Sequence, residues 1–188
     1  MSSTVTEIGK EIFNGCSSLK KVSLPSSIKS IKLNTFWKCS SLSEVILPSS
    51  VKVIENGAFY NCTSLKNFAF PSSLTKIGNE AFNGCSSLEK VEFPATLNSI
   101  GDETFCVCKV LKELSLPPKI KTVGNLAFKD CSSLSAVTIL SSSVMLGIGT
   151  FGDCPIIEIS CLSPIRINFS KAVLGINSTA IIKKIEKK

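Results

Sequence analysis

Large apolar side chains recur along the chain at one fixed interval. Phe stands at Phe13, Phe36, Phe59, Phe82, Phe105, Phe128 and Phe151, and three residues after each comes Cys16, Cys39, Cys62, Cys85, Cys108, Cys131 or Cys154. Three residues further on the column reads Leu19, Leu42, Leu65, Leu88, Leu111, Leu134 and Ile157, and every series steps by 23. A period of this length means a solenoid of about seven stacked units, each of which buries its apolar face only against its neighbours.

Within one unit, Leu88, Val91, Phe93, Pro94, Leu97, Ile100, Gly101, Thr104, Phe105 and Cys108 mark the constant positions. Alternation at Val91 and Phe93 predicts a short strand of four or five residues from Glu89, and Pro94 stops it because proline cannot continue the ladder. Gly78, Gly101, Gly124 and Gly147 mark a bend after the return leg. The stretch from there to the Phe has room for about one helical or 3₁₀ turn, which Asn79 or Asp102 would cap by accepting backbone N–H bonds. Stacking then gives a parallel sheet with one strand per repeat, wound right-handed by chirality.

This signature resembles that of leucine-rich repeats, and Leu65, Phe68, Phe70, Pro71, Leu74, Ile77, Gly78, Ala81, Phe82 and Cys85 are similar to the BspA-like, Treponema-type subclass, over about residues 5 to 162. The resemblance implies a right-handed leucine-rich-repeat coil, with a parallel sheet on the concave face and short turns and extended segments on the convex side. It also implies that the concave face binds protein ligands. Departures lie towards the ends: Leu140 replaces the Pro, and Ile159 with Cys161 suggests a last strand slipped by one position.

The pattern divides the chain into a solenoid over 1–162, with an incomplete first unit, and a C-terminal cap and basic tail over 163–188. Val5 and Ile8 occupy the columns of Ile28 and Ile31, so the chain opens in the middle of a repeat. An uncapped edge exposes apolar surface and unpaired backbone, so missing upstream residues or a homo-oligomer through that end are the expectations.

Charge changes the picture little. Of the net charge of +7, the residues through Leu162 contribute fifteen Lys against thirteen acids, and the excess sits at the C-terminus. A nucleic-acid footprint along the solenoid is therefore not expected. No apolar run reaches the roughly 18 residues of a membrane span, and Met1 to Val5 lacks the pattern of a secretory leader. A cytoplasmic location follows as the expectation, with the nucleus, or the cell surface for a chain lacking upstream residues, as alternatives.

Nine Cys raise metal and disulfide chemistry. Seven belong to the repeat column, where a strand spacing of about 4.8 Å exceeds the roughly 3.8 Å between Cβ atoms that a disulfide needs. They read as small buried hydrophobes. Cys106 falls in the mixed column of Asn14, Trp37, Tyr60, Asn83 and Lys129, which predicts an exposed and reactive thiol. The chain has no His, which removes Ser-His-Asp and Cys-His catalysis, and Cys106 with Cys108 makes no zinc knuckle. No metal, cofactor or enzyme activity is expected. Sequons at Asn61, Asn168 and Asn177 would matter only in a secreted protein.

The outward strand positions remain as the candidate site: Lys21, Ser23, Glu44, Ile46, Asn67, Lys90, Glu92 and Glu113. Among them, Lys90-Val91-Glu92-Phe93 looks like the K-V-x-F docking peptide of protein phosphatase 1 regulators, although the repeat already demands apolar residues at Val91 and Phe93. Two functions stay open: an intracellular scaffold that regulates or inhibits protein phosphatase 1, or a BspA-like surface adhesin.

Overall fold

Two apolar pairs per unit, separated by the proline, dictate two short extended legs. A computed structural model of the protein describes residues 5–161, 171–176 and 179–184 and has both legs in its repeats. The first legs form β1 (Lys21–Ser23), β3 (Glu44–Ile46), β5 (Asn67–Phe68), β7 (Lys90–Val91), β9 (Glu113–Leu116), β11 (Ala136–Ile139) and β13 (Glu158–Cys161). The second legs form β2 (Ser30–Ile31), β4 (Val53–Ile54), β6 (Lys76–Ile77), β8 (Ser99–Ile100), β10 (Thr122–Val123) and β12 (Met145–Leu146). The expectation of one strand per repeat is corrected to two. Each second leg pairs an outward residue with an inward one, as in Lys76 and Ile77, and two residues are too few to show a period in the sequence.

All pairings are parallel, and most strands meet partners 23 residues away, such as Lys21 with Glu44 and Ile77 with Ile100. The slip expected near the last strand is present: Val137 pairs with Ile159, one residue short of the period. Its origin lies just after Cys154, where Ile156 is buried in the Leu column while Ile157, the residue the spacing selects, is 67% exposed.

Each Phe stacks on the next at 5.1 to 5.8 Å between ring centroids, from Phe13 to Phe151. Around that spine the Cys, Leu and Ile columns form one continuous core. The thiols do more than fill space. Cys39, Cys62, Cys85, Cys108, Cys131 and Cys154 each direct Sγ at the carbonyl of the Phe 26 residues earlier, at 2.9 to 3.5 Å.

The turn between the second leg and the Cys carries i→i−3 bonds, such as Cys85 N–H to the Phe82 carbonyl, as a 3₁₀ turn would. Two left-handed residues flank each Phe and stop it propagating as a helix. They form columns, with Glu80, Glu103 and Leu126 in the first and Asn61, Gly84, Val107 and Asp130 in the second, all at φ between 52° and 75°. Alternate N–H groups of this turn reach into the next coil, as from Phe82 to the Thr104 carbonyl, and make a third ladder between repeats.

Asn79 and Asp102 accept backbone N–H bonds as expected, but from the following repeat. Asn79 Oδ1 takes the N–H of Asp102 at 3.1 Å, and Asp102 Oδ1 that of Asn125 at 2.7 Å. The bend glycines lie against this ladder with little room: a Cβ on Gly101 would stand 2.3 Å from Asn79 Oδ1 and 2.6 Å from Asn79 N.

Beyond residue 162, a one-turn helix α1 (Lys171–Leu174) seats Leu174 in the core and a strand β14 (Ile181–Lys184) pairs with β13, Glu158 facing Ile181. These parts of the segment expected as a cap extend the coil by a rung. At the other end Ile8 is buried, whereas Val5 and Ile12 are exposed and Phe13 and Leu19 only half-buried. Asn168, Asn177, Lys187 and Lys188 lie outside the described residues, and no helix among those described is long and apolar enough to cross a membrane.

Candidate functional site

Strand alternation turns Val22, Val45, Phe68, Val91 and Leu114 inward and leaves their neighbours in solvent. All eight expected site residues, Lys21, Ser23, Glu44, Ile46, Asn67, Lys90, Glu92 and Glu113, are exposed on this one face. Register brings Lys21 beside Glu44, Ser23 beside Ile46, and Asn67 beside Lys90. Lys21 Nζ lies 2.7 Å from a Glu44 carboxylate oxygen, across strands. Lys90 Nζ lies 2.5 Å from Glu92 within one strand, which raises the lysine above its ordinary range and lowers the carboxyl below its own. Glu113 makes no ion pair among the described residues. Exposed pairs of this kind add little stability, so these charges are available to a partner.

The first-leg sheet is not continuous. It divides into β1 with β3, β5 with β7, and β9 with β11, β13 and β14. The isolated middle pair carries Phe68, Phe70 and Phe93 where other repeats have Val, Leu or Ile. These rings join the Phe spine through edge contacts, Phe68 to Phe82 at 4.8 Å and Phe93 to Phe105 at 5.6 Å.

Each interruption opens a groove. One of about 490 Å³ lies among Glu44, Ile46, Phe68, Ala69 and Phe70. Another of about 500 Å³ lies among Val91, Phe93, Glu113, Pro117, Pro118 and Leu140. Lys90 and Glu92 border both. The outward alternation alone missed these grooves, and their signal was Phe in place of Leu at Phe70 and Phe93.

Val91 is 5% exposed and Phe93 is packed on the core. Lys90-Val91-Glu92-Phe93 therefore cannot offer its Val and Phe to a partner as a docked peptide without opening the coil. Cys106 also departs from expectation. It is buried, and burial first, with Glu103 nearby, pushes its thiol up to about 11. Cys39 is pushed up to about 11 and Cys85 to about 12, burial being the main cause in both. Cys16 is the exposed thiol of the nine. Among the described residues no three Cys, Asp or Glu side chains converge as metal ligands would.

The sequence matches the BspA type leucine rich repeat region in six copies, over residues 1–110 and 52–173. The fold is similar to that of a leucine-rich-repeat protein of T. pallidum, with a TM-score of 0.75 and 34% identity, over 80% of this chain and 71% of that one. It is also similar to a leucine-rich-repeat protein of Bacteroides ovatus, with a TM-score of 0.52 and 22% identity, over 96% of this chain and 64% of that one. No functionally curated protein matches the sequence. Six copies spread along the whole coil, with the matching fold, make this chain a member of the BspA-type leucine-rich-repeat family.

Proposed function

We propose that the protein is a non-catalytic binding module that holds a protein partner on the face of its first-leg strands. The observation that carries this reading is the grooved face itself. Two rows of exposed side chains, free of core duty, border two apolar grooves floored by Phe70 and Phe93. Interfaces draw their affinity from apolar pockets that a partner's anchor residue fills, with charges at the rim setting orientation.

Protein phosphatase 1 as the partner has less support than the face as the site, because Val91 and Phe93 serve the core. The adhesin reading is equally compatible with the family. The nine free thiols suit a reducing compartment, which supports an intracellular scaffold.

Affinity capture from the native cell tests the reading, with wild type beside Glu44→Lys/Glu113→Lys. Both sites are exposed, so the variant should fold. The expected result is a discrete partner retained by wild type and lost by the variant. Equal retention by both proteins would refute the face as the site.

A further inference from the structure

The near-neutral charge of the solenoid conceals a segregation that appears only once the chain is coiled. The second legs of the six-stranded sheet, residues 26–31, 49–54, 72–77, 95–100, 118–123 and 141–146, contain Lys29, Lys52, Lys76, Lys119 and Lys121 and no acidic residue, while the matching stretch of the first unit carries Glu7, held by Lys32 at 2.9 Å. The rest of the chain through Leu162 therefore holds ten Lys and thirteen acids. All five second-leg lysines are exposed, and none has an acidic partner among the described residues. The nearest acid in sequence, Glu55, is engaged by Lys32.

The second legs join in one unbroken six-stranded sheet, unlike the first. Lys29, Lys52 and Lys121 share a column, separated by Thr75 and Asn98, and Lys76 and Lys119 flank it. Four strand spacings of about 4.8 Å carry this column over roughly 19 Å along the coil axis. The outcome is a stripe of lysines along this sheet, with Glu7 beside its first coil, that meets the second groove at Ala95 and Pro118.

Composition decides what such a stripe fits. It holds no Trp, Tyr, Phe or Arg, the residue types that anchor protein interfaces. Without aromatic rings it offers single-stranded nucleic acid no stacking platform, and a flat sheet of two-residue strands has nothing to enter a duplex groove. Apart from Met145 at its far end it exposes no large apolar side chain that would enter a bilayer. What remains is attraction between regularly spaced ammonium groups and a linear chain of anions. We infer that the second-leg face binds a linear, densely anionic polysaccharide laid along the coil axis. This inference is independent of the protein partner on the first-leg face.

Heparin labelled with a fluorophore, titrated with the full chain at low salt, tests the inference by anisotropy. The triple variant Lys29→Gln/Lys52→Gln/Lys121→Gln should bind about tenfold more weakly or worse, and the salt dependence of its binding should be shallower. A control of equal charge change away from the stripe, Lys20→Gln/Lys66→Gln/Lys112→Gln, should differ less than about twofold from wild type, since screening confines each charge to its neighbourhood. Asn98→Lys, which adds a fourth lysine to the column, should strengthen binding, so the inference does not rest on loss alone. Thermal melts establish that each variant folds. Absence of heparin binding by wild type, or equal losses in the two triple variants, would overturn the inference. So would oligo-dT or phosphatidylserine vesicles that bind as tightly as heparin with the same lysine dependence.

Discussion

Gly101 and Gly9 occupy the same column of the repeat, yet their surroundings differ. Neither has a positive φ, so alanine suits the backbone at both. A Cβ on Gly9 meets nothing within 4 Å, whereas one on Gly101 would stand 2.6 Å from Asn79 N and 2.7 Å from the Gly78 carbonyl carbon. Those are backbone atoms that cannot rotate away, and the displacement also disturbs the Asp102 N–H bond to Asn79 Oδ1. Overpacking costs about 1–3 kcal/mol and the lost hydrogen bond about 1 kcal/mol, so Gly101→Ala should destabilise by about 2–4 kcal/mol. Gly9→Ala should stabilise by about 0.4–1 kcal/mol, because it only restricts the unfolded chain. In thermal melts Gly101→Ala should lower Tm by roughly 4–16 °C, and Gly9→Ala should leave it unchanged or raise it slightly. Equal effects at both sites would refute the contact with the preceding repeat as the reason for glycine.

Three further outcomes follow from the same coil. Val107 is β-branched at φ 62°, where the other repeats mostly place Gly, Asn, Asp or Lys; Val107→Asn should raise stability by about 1 kcal/mol in urea denaturation, and a loss would contradict the strain. Cys39, Cys85 and Cys106 have thiols raised to about 11 or 12 from an ordinary 9.0. The folded state thus holds their protons longer than the unfolded one, so stability is full below about pH 9 and falls as pH climbs towards the folded values. Unfolding free energy measured from pH 7 to 10.5 should decline above 9, and a flat profile would count against burial of the thiols. In the native protein a thiol-reactive probe should label Cys16 rapidly and the other eight only on unfolding; rapid labelling of Cys106 would contradict its buried place.

The columns at Phe, Cys and Leu made the coil legible from sequence, because a period of 23 repeated seven times leaves one register for stacking. The slip after Cys154 showed in Ile159 and Cys161 for the same reason. The second sheet did not show, since its strands are two residues long and take their definition from neighbours 23 residues away. Cys106 misled because polar Asn14, Asn83 and Lys129 share its column, yet that column is half-buried or buried from Trp37 to Lys129. The exposed rows of the candidate site were legible from alternation. The grooves were not legible from that alternation, because they lie at the interruptions of the first-leg sheet, beside Phe70 and Phe93, and a break in strand pairing leaves the inward and outward order unchanged.

The central claim, that recognition belongs to the first-leg face, is tested most directly by photocrosslinking in extract of the native cell. Benzoylphenylalanine would replace Ile46, which is 46% exposed beside the first groove, or Ile12, which is 54% exposed on the turn. The account predicts a discrete protein adduct from position 46 and none from position 12. Adducts of the same protein from both positions, or from position 12 alone, would contradict it.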